Sequence, residues 1–277
     1  MKISPAPLLT LANGTTMPQL GLGTWPMNDE QASVVVKEAL DMGYRMIDTA
    51  ENYENERGVG RGIRASSVQR EDVFVTTKFN RQWHSRQGAR QACLAALERL
   101  QLDYIDLLLI HWPNPDQDRY VEAYEGMLDL QKEGLVRAVG TSNFKPAHLQ
   151  RLFDFGYCPV LNQIQLDPYH ARDDLVALHR SKGIQTETWR PLGFGSALLD
   201  EPVIGMLAEK YQRTPAQIVL RWAVQQGFAT APKSADPMRM AQNISVFDFA
   251  LKDEEMQQIT TLQRHDPAMF DSDHFGH

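Results

Sequence analysis

The chain has few cysteines and no long apolar run, and both deficits exclude classes of protein. Its 277 residues include two cysteines, Cys93 and Cys158, which is too few for a disulfide framework and fits a reducing compartment. The N-terminal stretch MKISPAPLLTLANG has no apolar core long enough for a signal peptide. The apolar run LLLI at 107–110 is far too short to cross a bilayer. We therefore expect a cytoplasmic protein that is not embedded in a membrane.

The sequence also lacks the short motifs that mark common dinucleotide and metal sites. The glycines of GVGRGI at 58–63 follow no predicted strand, so they are not a dinucleotide fingerprint. No H-E-x-x-H motif or cysteine pair indicates a metal, and we predict none. The formal net charge of −7 argues against broad binding to nucleic acid or to an anionic membrane, although it allows a local basic pocket.

The composition is that of an ordinary globular protein. Hydrophobic residues make up 43% of the chain and charged residues 23%. The length permits one large domain or two small ones. Because no linker, composition break or low-complexity segment divides the chain, we predict a single domain over residues 1–277.

The order of strand-like and helix-like segments predicts the fold class. An Asn-Gly pair in LLTLANGTTMPQL indicates an N-terminal β-hairpin. Eight strand-like segments follow, each leading into helical sequence: GLGTW, YRMID, VFVTTKF, YIDLLLIHW, VRAVGTSNF, VLNQIQL, IQTETW and FATAPKS. Such alternation is typical of a parallel sheet, and eight units in about 250 residues favour a (β/α)8 barrel. We predict that barrel with a hairpin cap and two extra helices; a doubly wound open sheet is the competing architecture.

Polar residues stand at the ends of these predicted strands. Seven of them lie at or just past the carboxyl ends: Asp48, Lys78, His111, Asn143, Gln163, Trp189 and Lys233. In a barrel these ends share one face, where active sites are built, whereas an open sheet would spread them along a line. Whether these seven side chains meet in one site therefore depends on whether the fold is a barrel.

Four residues have the chemistry of a proton-transfer site: Asp48, Tyr53, Lys78 and His111. A free tyrosine has a pKa of about 10, and a nearby ammonium lowers it. Such a set suits delivery of a proton to a carbonyl oxygen that gains negative charge, but it holds no hydride donor, so reduction requires a cofactor. Each member also has a structural interpretation: a cap or ion pair for Asp48, a packed loop ring for Tyr53, a solvated strand end or a Schiff-base lysine for Lys78, and a core histidine for His111.

The motifs, taken in order, resemble those of the aldo-keto reductases. The similar segments run from about residue 8 to residue 264 and include GLGTW, YRMIDTAENYENERGVGRGI, VFVTTKF, YIDLLLIHWP, GTSNF, NQIQLDPY and APKS. The resemblance implies a monomeric (β/α)8 barrel that reduces small-molecule carbonyl compounds with NADPH. It also implies that Tyr53 is the general acid, that Lys78 lowers the Tyr53 pKa, that Asp48 supports Lys78 and that His111 orients the carbonyl.

The same resemblance implies a set of cofactor contacts. Ser142, Asn143 and Gln163 match the groups that hold the carboxamide, and Trp189 matches the aromatic residue that stacks on the nicotinamide. The remaining implied contacts are Thr24 in GLGTW, Leu192 and Gly193 over the pyrophosphate, Lys233, Ser234 and Arg239 around the 2′-phosphate, and Gln242 and Asn243 at the adenine. Two cations suit a phosphate monoester, and arginine can bind it with two hydrogen bonds.

Within the family, the chain is most similar to bacterial members that reduce 2,5-diketo-D-gluconate and accept methylglyoxal and β-keto esters. By this similarity Trp25, Phe79 and Trp112 line the substrate pocket, and Arg190 stands where a serine is usual. Arginine at that position suits an anion contact for an acidic substrate or for the cofactor. Two alternatives stay open: a regulatory or structural barrel with negligible turnover, and a lyase that uses Lys78 as a Schiff base.

Overall fold

The computed structural model describes residues 6–264 and 270–277. The described chain begins with an antiparallel hairpin in which β1 (Leu8–Thr10) pairs with β2 (Thr16–Pro18). Leu11 and Met17 of this hairpin pack with residues of the barrel interior, including Met46 and Leu107. Because Met46 begins its strand, the hairpin closes the amino-terminal end of the barrel, as the Asn-Gly pair predicted.

Eight parallel strands form the barrel. Each strand pairs with the next along the chain: β3 (Leu22–Gly23), β4 (Met46–Asp48), β5 (Phe74–Phe79), β6 (Ile105–Ile110), β7 (Val136–Ser142), β8 (Leu161–Gln165), β9 (Gln185–Trp189) and β10 (Ala229–Thr230). The last strand also joins the first, because the Gly21 N–H donates to the Thr230 carbonyl (2.9 Å) and the Thr230 N–H to the Gln19 carbonyl (3.0 Å). This closure confirms the predicted barrel, and the open-sheet alternative is wrong.

Helices surround the strands. The described residues form α1 (Asp29–Met42), α2 (Glu56–Ala65), α3 (Arg86–Leu100), α4 (Tyr120–Lys132), α5 (Pro146–Asp154), α6 (Asp173–Lys182), α7 (Pro202–Tyr211), α8 (Pro215–Gln225), α9 (Pro237–Ile244) and α10 (Asp253–Thr260). Two helices follow β9 and two follow β10, which accounts for the predicted two extra helices. Among these residues, no helix combines the length and apolarity that crossing a membrane would require.

Alternation along each strand divides its side chains between two environments. On β5, Phe74 belongs to the apolar cluster inside the barrel, whereas Val75 and Phe79 belong to the cluster between strands and helices. Since successive side chains of a strand point to opposite faces, Lys78 lies inside the barrel and Phe79 outside it. This alternation decides which residues at the carboxyl ends of the strands can meet.

Candidate active site

A buried lysine lies at the centre of the polar cluster at the carboxyl end of the barrel. The Lys78 Nζ donates to Asp48 Oδ1 (2.8 Å), to Asp48 Oδ2 (2.9 Å) and to the Thr49 carbonyl (2.9 Å). Burial lowers the pKa of Lys78, but Asp48, with smaller contributions from Tyr53 and Glu187, raises it by more, so the pKa lies above its usual value. Lys78 therefore stays an ammonium ion, with Asp48 as its counter-ion.

Tyr53 brings a phenol to this ammonium. The short 3-10 helix Glu51–Tyr53 follows β4 and places the Tyr53 hydroxyl 3.5 Å from Lys78 Nζ. Burial raises the pKa of Tyr53, and Lys78 lowers it only in part, so the net pKa lies above its usual value. The expected influence of Lys78 is present but smaller than that of burial, and the phenol keeps its proton at neutral pH.

His111 lies across from Tyr53, directly after β6. The two ring centroids are 6.0 Å apart. Burial lowers the pKa of His111 well below its usual value, and the Lys78 charge lowers it further. The imidazole is therefore neutral and can donate one hydrogen bond to a ligand oxygen. The structure thus brings together all four residues of the predicted proton-transfer set.

Four of the predicted cofactor residues form one hydrogen-bonded chain beside this set. Ser142 Oγ donates to the Gln163 carbonyl (3.0 Å), Asn143 Nδ2 donates to Ser142 Oγ (3.0 Å), and Trp189 Nε1 donates to Asn143 Oδ1 (2.8 Å). Gln163 Nε2 donates to Asp48 Oδ2 (2.8 Å), whereas no described residue donates to Gln163 Oε1. A free amide oxygen next to a fixed indole ring fits a planar ligand that carries a carboxamide.

A second group of predicted cofactor residues surrounds the first turn of α9. Lys233 and Arg239 are exposed and form no ion pair within the part of the chain that the structure describes. Ser234 lies between them and accepts a hydrogen bond from the Asp236 N–H (3.2 Å). Gln242 and Asn243 follow on the same helix. Two cations beside the positive end of a helix fit a phosphate group.

The other three predicted cofactor residues are placed less directly. The Thr24 hydroxyl is fully buried and donates to the Asp48 carbonyl (3.0 Å), so it is already engaged. Leu192 and Gly193 belong to the loop after β9, where Gly193 has a φ of +61°. A Cβ at Gly193 would lie 2.5 Å from Ser196 Oγ, so this tight turn requires glycine. The cofactor contacts of all three stay predictions.

Two of the three predicted substrate-pocket residues lie at the site, and the third does not. Trp112 lies against the site, with its ring centroid 6.2 Å from that of His111 and 6.5 Å from that of Trp189. Trp25 is 41% exposed at the mouth of the site. Phe79, however, faces away from Lys78 and packs against His84, with ring centroids 6.1 Å apart. The expectation that Phe79 lines the pocket therefore needs correction, because β5 turns its ring to the outer layer.

The C-terminal residues contribute aromatic rings that sequence reasoning missed. The Phe275 ring centroid is 4.8 Å from that of Trp112, and the His277 ring centroid is 5.9 Å from that of His111. Lys145 binds Asp271 and Asp273 and holds this segment against the barrel. The aromatic residues in DHFGH were the available signal, but no periodicity connects a terminal segment to a strand end.

Arg190 occupies an aromatic cage at the mouth of the site. Its Cζ lies 5.1–5.6 Å from four ring centroids, those of Trp25, Trp189, Phe194 and Phe270. No carboxylate of the described chain pairs with it. The rings hold the guanidinium by cation–π contacts and leave its N–H groups for a ligand.

Comparison with known proteins identifies the family. Residues 11–264 match the family model described as "Aldo/keto reductase family". The chain belongs to the aldo/keto reductase family. It is 47% identical to methylglyoxal reductase DkgA of Escherichia coli (strain K12), with 97% of this chain and 98% of that protein covered. It is 44% identical to 2,5-diketo-D-gluconic acid reductase B of a Corynebacterium species, over 93% of this chain and 94% of the relative.

Solved structures of family members have the same fold. An aldo/keto reductase from Brucella melitensis is 41% identical, with a TM-score of 0.89 over 93% of this chain and all of the other. An aspartate-to-alanine mutant of Gox0644, solved in complex with NADPH, is 40% identical, with a TM-score of 0.93 over 98% of each chain. These likenesses confirm the sequence-based assignment to the family and its barrel.

Proposed function

We propose that this protein reduces aldehydes and ketones to alcohols with NADPH, and that Tyr53 is the general acid. The observation that carries the proposal is the position of the Tyr53 hydroxyl, 3.5 Å from an ammonium that Asp48 holds in a buried site. A protonated phenol beside a fixed positive charge can give its proton to a carbonyl oxygen that becomes an alkoxide. The resulting phenolate is then stabilised by Lys78.

Each of the other three residues has a role that follows from its environment. Asp48 holds Lys78 in place through both carboxylate oxygens. Neutral His111 donates a hydrogen bond that orients the substrate carbonyl without competing as an acid. When bound, NADPH supplies the hydride. Ser142, Asn143, Gln163 and Trp189 would hold its nicotinamide, and Lys233 and Arg239 would bind its 2′-phosphate, which favours NADPH over NADH.

The substrates that we propose are small dicarbonyl compounds and keto acids. The named relatives are a methylglyoxal reductase and a 2,5-diketo-D-gluconic acid reductase, and both substrates carry a carbonyl next to another polar group. Trp25 and Trp112 give the pocket aromatic walls, and Arg190 offers a cation to a carboxylate. We propose methylglyoxal, 2,5-diketo-D-gluconate and β-keto esters as substrates.

The matched pair Tyr53→Phe and Tyr157→Phe tests the acid role. Tyr157 is likewise a tyrosine whose hydroxyl contacts a charged side chain, since it donates to Glu125 (3.1 Å), but it lies outside the site. We expect Tyr53→Phe to lower kcat for methylglyoxal reduction by about 10²–10⁴-fold, because the general acid is lost. NADPH binding, followed by tryptophan fluorescence, should change little, and Tyr157→Phe should keep full activity. Turnover above a few per cent in Tyr53→Phe would remove Tyr53 from this role.

Two alternatives predict different results. A regulatory or structural barrel would bind NADPH tightly and turn over every carbonyl very slowly. A lyase would form a Schiff base on Lys78, which borohydride would trap. The charged state of Lys78 argues against the lyase, because a Schiff base requires a neutral amine.

We also propose that residues 1–277 form one domain that works as a cytoplasmic monomer without nucleic-acid partners. Two observations support parts of this proposal: both cysteines are free, and the net charge is −7. Size-exclusion chromatography with light scattering tests the monomer directly.

A further inference from the structure

A second carboxyl group lies inside the barrel beneath the proton-transfer residues. Glu187, in the middle of β9, has no exposed surface. Its strand neighbours at the same level are Gln163 on β8 and Ala229 on β10. Ala229 belongs to the interior cluster, and the Gln163 side chain reaches Asp48, so the Glu187 side chain faces the same interior space.

Glu187 has no hydrogen-bond partner in the part of the chain that the structure describes. Both carboxyl oxygens are buried and unpaired. The Gln163 amide donates to Asp48 Oδ2 (2.8 Å), and its influence on Glu187 is the smallest of those that act on that carboxyl group. Lys78 donates to both oxygens of Asp48, to the Thr49 carbonyl and, at 3.5 Å, to the Tyr53 hydroxyl, and it makes no hydrogen bond to Glu187. The charged and titratable groups that act on Glu187 are Asp48 from β4, Lys78 from β5 and Tyr53 from the short helix after β4.

Burial of this kind favours the protonated acid. A carboxylate without hydrogen bonds is far more costly to bury than a neutral carboxyl group. Burial raises the pKa of Glu187 to about 8, the Asp48 charge adds to the rise, and Lys78 opposes it in part. With Glu187 neutral, the neighbouring Asp48 carboxylate and Lys78 ammonium balance each other.

We propose that Glu187 is a positioning residue that serves the reductase as a neutral acid, and that loss of its proton to solvent slows proton donation by Tyr53. This inference rests on the proposed function. After Tyr53 gives up its proton it becomes a phenolate, and a second carboxylate in the interior opposes that negative charge. An ionised Glu187 raises the pKa of Tyr53 and so weakens it as an acid. The rate of reduction should therefore decline at alkaline pH because Glu187, which lies deeper in the barrel than the substrate site, loses its proton.

The pH dependence of reduction tests the proposal. We would measure kcat/KM for 4-nitrobenzaldehyde, which carries no ionisable group, with saturating NADPH between pH 6 and 10. The wild type should lose activity above about pH 8, by up to about tenfold per pH unit. Glu187→Gln keeps the shape but cannot ionise, so its alkaline decline should begin at least about one pH unit higher. Glu187→Asp restores an ionisable group and should restore the decline.

A second readout does not depend on turnover. Infrared difference spectra between pH 6 and 10 should show a protonated carboxyl band that disappears with rising pH in the wild type and is missing from Glu187→Gln. Superimposable alkaline limbs in wild type and Glu187→Gln, or a Glu187 carboxylate already ionised at pH 7, would overturn the inference. Failure of the proposed function would appear separately, as turnover that survives Tyr53→Phe while the carboxyl band still titrates.

Discussion

At the scale of single residues, Arg190 is the side chain that we expect to select among substrates. Its guanidinium lies within 5.6 Å of four aromatic rings, two of which, Trp25 and Trp189, belong to the predicted substrate and cofactor residues. The rings fix its position but accept none of its N–H donors strongly. The Arg190 side chain is therefore already held in place before a ligand arrives. An anionic substrate group can bind to it with little further loss of side-chain entropy.

Substitution of Arg190 should separate acidic from neutral substrates. We expect Arg190→Gln to lower kcat/KM for 2,5-diketo-D-gluconate by about 10–100-fold, since a hydrogen bond to a charged group contributes about 1.5–3 kcal/mol. The kcat/KM for methylglyoxal, which has no carboxylate, should change by less than about threefold. Steady-state kinetics on both substrates and an NADPH titration are the measurements. Equal losses on both substrates together with weaker NADPH binding would assign Arg190 to the cofactor.

The polar residues at the ends of the predicted strands were enough to predict the proton-transfer set from the sequence. Asp48, Lys78 and His111 each follow or end an apolar run, and a charge in that place needs a partner. Glu187 escaped notice because it lies inside its strand, between two threonines, and only the closed barrel shows what faces it. The prediction for Phe79 failed for a related reason: Phe79 is adjacent to Lys78 in the sequence, but a strand turns adjacent side chains to opposite faces.

At the scale of elements, the glycine-rich helix α2 is explained by close packing. A Cβ added at Gly58 would lie 1.9 Å from the Asp29 carbonyl oxygen at the start of α1. A Cβ added at Gly60 would lie 1.9 Å from the Leu100 carbonyl oxygen at the end of α3. Sequence reasoning excluded a dinucleotide fingerprint here, but it gave no reason for the glycines. The reason is a distance between backbones, which a single sequence does not contain.

Alanine substitutions test this packing. We expect Gly60→Ala to lower the free energy of unfolding by about 1–3 kcal/mol or more, because the new methyl group would overlap a backbone atom that cannot move aside. Gly205→Ala is the matched control, since Gly205 lies in α7 with open space around its Cβ position. That change should stabilise the protein by about 0.4–1 kcal/mol. Urea denaturation of both variants gives the comparison, and equal effects would refute the close approach.

The barrel strands and the C-terminal segment differ in how well the sequence predicts them. All eight barrel strands were predicted, because buried parallel strands are apolar runs and each is followed by a helix-period pattern. The C-terminal segment over Trp112 was not, although its position is well defined by Lys145. A tertiary ion pair between residues more than 120 positions apart leaves no periodic signal in the chain.

At the scale of the whole molecule, buried histidines limit stability in acid. His84 and His179 are both buried, and burial lowers the pKa of each to about 4. In the unfolded chain a histidine has a pKa of about 6.5. Between these values the unfolded state binds protons that the folded state does not, so stability falls as the pH falls. Each of these histidines contributes about 1.4 kcal/mol per pH unit over that interval.

His84 gives the sharper test, because neither of its ring nitrogens has a hydrogen-bond partner among the described residues. Replacing it by methionine, which adapts its shape to an irregular site, costs no hydrogen bond. His84→Met should therefore be at least as stable as the wild type at pH 7 and should gain on it by about 1.4 kcal/mol per pH unit as the pH falls from about 6.5 to 4. Urea denaturation at half-unit pH steps measures the difference. Above pH 7 the plots of unfolding free energy against pH should run parallel for the two proteins, which is the internal control. Parallel plots below pH 6 would contradict the prediction, because His84 would then take up its proton as readily in the folded protein as in the unfolded chain.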